Sequence, residues 1–200
     1  AGRILILVPD ALVNQWFVEL FRRFSMSFSI YDEERAKAIE EGGEGTDNPF
    51  LDDQLVLCAT SWLAGNPRRA AQAAEAGWDL AIVDEAHHLE WTVEQASPAY
   101  SAVEEITRNS PGLLLLTATP EQLGREGHFA RLKLLDPDRF SDLESFIEES
   151  SHFREVSQLA DRLRGDEALS KADLDLLDEL LGEGTSGAIT SEGDRDARDE

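Results

Sequence analysis

Two adjacent carboxylates, Asp84 and Glu85, follow directly after the apolar run Leu80–Val83. Placing two acids at the end of a buried strand costs free energy, so the pair indicates a chemical role. Open α/β sheets bind ligands at the carboxyl ends of their strands. There the first acid can hold Mg²⁺ against nucleotide phosphates while the second polarises an attacking water. The pair therefore favours phosphoanhydride hydrolysis over the structural alternative, in which Asp84 only begins a helix as its N-cap.

A second apolar run, residues 113–116, ends in Thr117, Ala118 and Thr119. Because parallel strands end at the same edge of a sheet, we expect these residues to lie beside the acidic pair. His87 is then placed to hydrogen bond from the carboxylates to the threonine turn. Thr119 also suits an N-cap position before a proline, and the two roles are compatible.

Two other segments offer possible sites, and the sequence disfavours both. His87 and His88 with Glu90 could hold zinc, but adjacent residues point about 100° apart on a helix. No further His or Cys stands at ligand spacing. The glycine-rich residues 41–45 lack lysine, carry two acids that would repel phosphate, and do not follow a strong buried strand. The sequence has no Gly-Lys-Ser/Thr loop to cradle phosphates.

The elements that must position these residues follow an α/β pattern, in which strand-sized apolar runs alternate with segments of helical period. We predict five strands: Ile4–Val8, 27–31, Leu55–Ala59, 80–84 and 113–116. Helices are predicted from the apolar stripe after Asp10, from the alanine-rich residues 67–76, and from Ser97 to about residue 108. The polar segment 32–53 predicts a helix remnant and a loop.

Past residue 120 the strand patterns stop and only helices are expected. Capping-box patterns start at Thr119 and Ser141, and amphipathic stretches follow over 153–163 and 174–181. The predicted domains are, in order, an α/β lobe, an α-helical extension and a disordered tail: 1–138, 139–182 and 183–200.

The net charge of −23 excludes a long-range attraction to nucleic acid, so any such contact must be local. Residues 183–200 contribute −4, and the other 182 residues carry −19. We interpret this acidity as adaptation to high intracellular salt, against the alternatives of acidic drift or a face for a basic partner. The single cysteine, Cys58, lies in an apolar run and is expected to be a core residue in an intracellular protein.

Three blocks of the sequence are particular: residues 4–9 with Gln15 and Trp16, residues 84–89, and residues 114–123. They resemble the first motor lobe of superfamily-two helicase-like ATPases of the Swi/Snf type, with 84–87 matching the DEAH box. Residues 127–140 resemble, more particularly, bacterial RNA-polymerase-associated members of that family. The resemblance extends to about residue 165. It implies a RecA-like parallel sheet with flanking helices, lacking the strand and helix of the phosphate-binding loop (P-loop), followed by an α-helical extension.

The resemblance also implies a role for each matching residue. Asp84 matches the acid that holds Mg²⁺ and Glu85 the acid that activates water. His87 and the turn Thr117-Ala118-Thr119 match the elements that couple the ATP site to the nucleic-acid site.

Pro9, Thr60 and Ser61 match positions that approach the nucleic-acid backbone. The implied cofactors are ATP and Mg²⁺, and the implied partners are RNA polymerase and double-stranded nucleic acid (DNA or a DNA/RNA hybrid). The family's P-loop is expected before residue 1 and its arginine finger in a second lobe. The chain is therefore expected to be an inactive fragment of a cytoplasmic, nucleoid-associated translocase that recycles RNA polymerase during transcription.

Two alternatives remain at this point. One is another Swi/Snf-type or DEAH-box helicase ATPase without a polymerase partner, which fits the motor motifs equally well and is disfavoured only by residues 127–140. The other is a non-catalytic α/β scaffold whose acidic surface docks a basic partner.

Overall fold

A five-stranded, all-parallel sheet organises the chain, as the alternating sequence pattern predicts. The computed structural model describes residues 2–42, 47–118, 124–165 and 169–182. The strands are β1 (Ile4–Val8), β2 (Ser29–Tyr31), β3 (Leu55–Ala59), β4 (Leu80–Val83) and β5 (Leu113–Leu115). Their order in the sheet is β2-β3-β1-β4-β5. The predicted α/β class is confirmed, and the arrangement is that of an incomplete RecA-like fold with a helical extension.

Eight α-helices accompany the strands in the described part of the chain. They are α1 (Val13–Phe24), α2 (Glu33–Gly42), α3 (Thr60–Ala64), α4 (Pro67–Glu75), α5 (Pro98–Arg108), α6 (Gly124–Leu135), α7 (Leu143–Arg164) and α8 (Lys171–Leu181). Helix α5 begins as predicted, since the Ser97 side chain accepts a hydrogen bond from the Tyr100 N–H and Pro98 occupies the first turn.

The larger hydrophobic core lies on one side of the sheet. It unites Leu5 and Leu7 of β1 with Phe50 and Trp78 and with small residues of α4 and α5. The ring of Phe50 lies 6.4 Å from that of Trp78 in an edge-on arrangement. Cys58 of β3 is fully buried in this core, where burial raises the pKa of its thiol. It is a core residue, as expected.

The smaller core lies on the opposite side, where α1 is the only one of the described α-helices that packs on it. A register row crosses this face of the sheet from edge to edge: Ile30, Leu57, Ile6, Ile82 and Leu114. Leu57 and Ile6 are buried in its middle, whereas Leu114 on β5 is 45% exposed. Helix α1 shows the predicted apolar stripe but has no fully buried residue.

The start of the polar segment 32–53 forms a longer helix than the sequence predicted. Where a helix remnant was expected, α2 is a ten-residue helix with Glu33 and Glu34 in its first turn. Its Ala36 is fully buried and Ile39 packs on the larger core. Ala36 and Ile39 are three positions apart and therefore lie on one face of the helix. Burial of that face stabilises a helix whose composition is otherwise polar.

The chain divides into two compact units, residues 1–143 and 144–200. In the second, Ser170 and Asp173 form a capping box at the start of α8, and Arg162 pairs with Asp173. The predicted capping box at Thr119 and the predicted disordered tail 183–200 fall outside the described residues. Among the residues described, no helix is both long and apolar enough to cross a bilayer.

Candidate functional site at the carboxyl edge of the sheet

The predicted site residues converge where the chain changes direction across the sheet. After β1 the chain runs outward to β2, and after β4 it runs the other way to β5, so the adjacent ends of β1 and β4 form a switch point. Asp84 is tied to this edge because its backbone N–H donates to the Leu7 carbonyl over 2.8 Å. On the other side, the Leu116 N–H donates to the Val83 carbonyl over 2.8 Å. The ends of β1, β4 and β5 therefore lie side by side, as expected.

Both carboxylate oxygens of Asp84 accept a hydrogen bond from a neutral donor. Oδ1 accepts from the Glu85 backbone N–H over 2.9 Å. Oδ2 accepts from the indole Nε1–H of Trp16, on α1, over 2.8 Å. Within the described ranges no Lys or Arg pairs with Asp84, so its negative charge is oriented without being neutralised. Each oxygen keeps a further lone pair for a ligand.

Glu85 combines an unusual backbone with an unsatisfied side chain. Its φ of 51° and ψ of 44° place it in the left-handed region, which costs a non-glycine residue about 1–3 kcal/mol. Its Oε2 is buried yet receives no well-aligned hydrogen bond from any described residue. A buried carboxylate oxygen without a partner is costly, and such features concentrate at functional sites. The arrangement suits an oxygen that accepts its hydrogen bond from an incoming molecule.

His87 lies between the acidic pair and the end of β5. Its Nδ1 is 3.0 Å from Glu85 Oε2 and 3.4 Å from Thr117 Oγ1. The predicted approach of His87 to the threonine turn is thus present for Thr117. Ala118 is exposed, and Thr119 lies outside the described residues. The His88 ring contacts the His87 ring in a tilted arrangement, with centroids 4.0 Å apart.

The three residues matched to nucleic-acid contacts share one small cavity with the acidic pair. A cavity of about 200 Å³ is lined by Pro9, Thr60 and Ser61 together with Asp84 and Glu85. The Thr60 hydroxyl donates to the Val8 carbonyl over 3.3 Å, and the Ser61 hydroxyl donates to an Asp10 carboxylate oxygen over 2.5 Å. These hydroxyls are therefore fixed at the rim by β1 and the turn that follows it.

The donor set fits one side of a magnesium site. Mg²⁺ in nucleotide sites is commonly held by one or two carboxylates, with phosphates and waters completing its shell. Asp84 supplies a charged, oriented carboxylate at the cavity wall, and Glu85 adds the buried, unsatisfied oxygen. No group of three or more His, Cys, Asp or Glu side chains within the described ranges is arranged to hold a metal ion by itself. The site thus suits a metal that arrives with a ligand.

Trp16 is the contributor that the sequence did not single out for this site. It stands in the apolar stripe of α1 and is 68 residues from Asp84 along the chain. Helical period marks it as a packing residue, and its ring does pack on the smaller core. The family resemblance includes Trp16 in its first block but gives it no role, and the remaining clue is its type, since tryptophan carries one donor that needs an acceptor when half-buried.

Comparison with known proteins identifies the family of the chain. The model of the SNF2-related domain matches residues 1–179. The RNA polymerase-associated protein RapA of Actinobacillus succinogenes is 48% identical over 184 residues, which is 92% of this chain and 19% of that protein. The chain therefore spans about a fifth of the length of this relative. On the match over residues 1–179, the chain belongs to the SNF2-related domain family, the helicase-like ATPases of the Swi/Snf type.

Proposed function

We propose that this chain forms part of the first motor lobe of an ATP-dependent translocase of double-stranded nucleic acid, DNA or a DNA/RNA hybrid. The observation that carries the proposal is the shared cavity, which brings Asp84 and Glu85 against Pro9, Thr60 and Ser61. A nucleotide-driven motor needs its hydrolytic acids next to the residues that contact nucleic acid, because ATP hydrolysis and nucleic-acid binding must influence one another. The family membership supports the same reading.

In this function Asp84 would hold the Mg²⁺ that accompanies ATP, and the bound ion would neutralise charge on the phosphates. Trp16 and the Glu85 N–H keep the Asp84 carboxylate facing the cavity wall. Glu85 orients the attacking water and accepts its proton at Oε2, the oxygen that no described donor satisfies.

The coupling role falls to His87 with Thr117, Ala118 and Thr119. His87 Nδ1 is within 3.4 Å of both Glu85 Oε2 and Thr117 Oγ1, so a movement of the turn after β5 would alter the surroundings of the water-orienting acid. The contact between His87 and Glu85 is the element through which nucleic-acid binding would change turnover.

Nucleic acid would approach along Pro9, Thr60 and Ser61. With a net charge of −23 the chain repels phosphate at long range, so this contact rests on neutral groups at short range. To donate to a phosphate, the Thr60 and Ser61 hydroxyls would exchange their present acceptors, the Val8 carbonyl and the Asp10 carboxylate. Such a contact is independent of sequence, which suits a translocase.

RNA polymerase is the proposed protein partner, and its recycling during transcription is the proposed outcome. The support is the relative at 48% identity, whose name describes it as RNA polymerase-associated. Its similarity covers the segment 127–140 that first indicated this branch of the family, and Phe129 and Ala130 of that segment are buried. A cytoplasmic, nucleoid-associated location follows from this role.

The remaining catalytic elements, the P-loop and the arginine finger, are proposed to lie in other parts of a longer protein. Strand β5 is an edge strand with Leu114 exposed on the thinly covered face, which suits a further strand and helix packing there. Without the lysine of a P-loop, the 200-residue chain alone is expected not to hydrolyse ATP.

The test is Glu85→Gln in the full-length protein. Removing the proton acceptor should lower ATP turnover about a hundredfold or more while leaving ATP binding largely intact. Glu94→Gln, which changes an exposed acid outside the lining of the cavity, is the matched control and should leave turnover unchanged. Wild-type turnover by Glu85→Gln would refute the assignment. Hydrolysis stimulated by nucleic acid in the 200-residue chain would refute the proposal that essential elements lie elsewhere.

A further inference from the structure

The hydrogen bond from Trp16 to Asp84 links α1 to the end of β4. It joins Nε1 of the indole to Oδ2 over 2.8 Å, and among the described residues Trp16 is the only side chain that bonds to Asp84. The contact bridges the switch point, since α1 follows β1 and Asp84 follows the neighbouring β4. It therefore fixes the carboxylate relative to a second element instead of leaving it on its own loop.

The kind of donor matters because a metal-binding carboxylate must stay charged. An arginine or lysine at this distance would orient Asp84 but would also cancel its charge and repel a cation. An indole N–H orients the oxygen while adding no net charge. Glu33, Glu40 and Asp173 show the contrast, since each of these carboxylates pairs with an arginine.

Packing alone does not explain the contact. Helix α1 has no fully buried residue, and Trp16 is only half-buried beside Phe17 on the smaller core. A phenylalanine would fill most of the same space, and the donor is the feature it would lack. The indole N–H is instead directed at one oxygen of the carboxylate that lines the cavity.

We propose that Trp16 is a positioning residue for the metal site: it orients the Asp84 carboxylate toward the divalent cation that accompanies the nucleotide, without adding a positive charge beside it. This rests on the proposed function, in which Asp84 holds Mg²⁺. Outer-shell partners of metal ligands typically change metal affinity or activity by about 10–100-fold when removed. Because the bond here is a neutral one, the effect is expected near the lower end of that range.

The test uses the full-length protein and Mn²⁺ as the probe for the cation. Binding of Mn²⁺ in the presence of ADP is measured by the loss of the electron paramagnetic resonance signal of free Mn²⁺. Trp16→Phe should weaken this binding about tenfold and raise by a similar factor the Mg²⁺ concentration that gives half-maximal ATP turnover. The KM for ATP at saturating Mg²⁺ should change little.

Two controls separate positioning from packing. Phe17→Leu alters the packing of the same helix without touching Asp84, and should lower thermal stability but keep Mn²⁺ affinity. Trp62→Phe removes an indole donor to Glu33, a carboxylate that also pairs with Arg69, and should also keep Mn²⁺ affinity. If Trp16→Phe binds Mn²⁺ within twofold of the wild type, or if Phe17→Leu loses as much affinity, the proposal is overturned.

Asp84→Asn distinguishes this proposal from the one on which it rests. If Asp84→Asn abolishes Mn²⁺ binding with ADP while Trp16→Phe does not weaken it, only the positioning role fails. If Asp84→Asn itself binds Mn²⁺ as the wild type does, the metal-binding role of Asp84 and the positioning role of Trp16 both fail.

Discussion

On one side of the sheet the core contains Phe50 and Trp78, both at most 1% exposed, whereas on the other side Phe21 and Phe24 of α1 are 58% and 67% exposed. The first side is packed by several elements, including α4, α5 and α6. On the second side, α1 is the only α-helix of the described ranges that packs on the core. Parallel sheets are normally covered by helices on both faces. The first side therefore contains the packing that stabilises the fold, and the second is the face on which a further element could pack.

The site residues lie at the edge where these two sides meet. Asp84 follows β4, whose Val83 belongs to the larger core, while the Trp16 that orients it comes from the helix of the smaller core. Asp84 is thus held by the well-packed strand β4, and its hydrogen-bond donor, Trp16, is held by α1, a helix with little burial. Changes to the two sides should therefore differ in size, and the predictions below run from the largest difference to the smallest.

The largest difference is expected between Phe50→Ala and Phe21→Ala. Phe50 is fully buried between Tyr31 and Trp78, so its truncation leaves a cavity and should cost about 3–5 kcal/mol. Phe21 is mostly exposed, and its truncation in the 200-residue chain should cost about 0.5 kcal/mol or less. Urea unfolding of the two variants measures both values. Equal losses would mean that α1 is buried more deeply than its exposure indicates.

A smaller effect is expected from Arg69, which joins α4 to α2 on the well-covered side. Its guanidinium is 1% exposed and bonds to Glu33, Glu40 and Gln72. Arg69→Met should cost about 2 kcal/mol at neutral pH, since it removes charged hydrogen bonds from carboxylates that are partly exposed and can be rehydrated. Thermal unfolding at pH 7, compared with Arg68→Met on the exposed face of α4, isolates the contribution of the buried group.

The same network should give the covered side a dependence on acid. Hydrogen bonding to Arg69 lowers the pKa of Glu33 from 4.5 to about 2 and lowers the pKa of Glu40 as well. Groups with a depressed folded pKa stabilise the fold above their unfolded pKa, and this stabilisation is lost as pH falls through the folded value. Wild type should therefore lose stability between about pH 4.5 and 2, and Arg69→Met should lose less over that window. Parallel pH profiles would contradict this assignment.

The sequence predicts the well-covered side better than the open one. Strand bounds follow from apolar runs, and β1 and β3 begin and end where those runs do. Ser97 with Pro98 marks the start of α5 correctly, because capping is a local interaction. The apolar stripe of α1 is also visible in the sequence. Periodicity identifies the apolar face of a helix, but it does not show which elements pack against that face. The exposure of Phe21 and Phe24 could therefore not be predicted from the sequence.

The candidate site shows the same division between local and long-range information. The acidic pair, His87 and Thr117 could be singled out, because their positions at strand ends follow from local patterns and from the parallel sheet. Trp16 could not, since its contact depends on how α1 lies across the ends of β1 and β4. The positive φ of Glu85 was equally hidden, because nothing in its residue type favours the left-handed region.

The smallest effect, and the most direct test of the open face, concerns Leu114 on the edge strand. In the 200-residue chain Leu114 is 45% exposed, so Leu114→Thr, which keeps a residue suited to strands, should change stability by about 0.5 kcal/mol or less. In the full-length protein, a covering element would bury it, and the same change should cost about 1–2 kcal/mol. Leu57→Thr, in the same register row but fully buried, should be costly in both forms. Hydrogen exchange of the peptide that contains β5 measures the local effect in each. If Leu114→Thr costs as little in the full-length protein as in the 200-residue chain, no further element covers this face. The two sides of the sheet would then differ in coverage in the full-length protein as well.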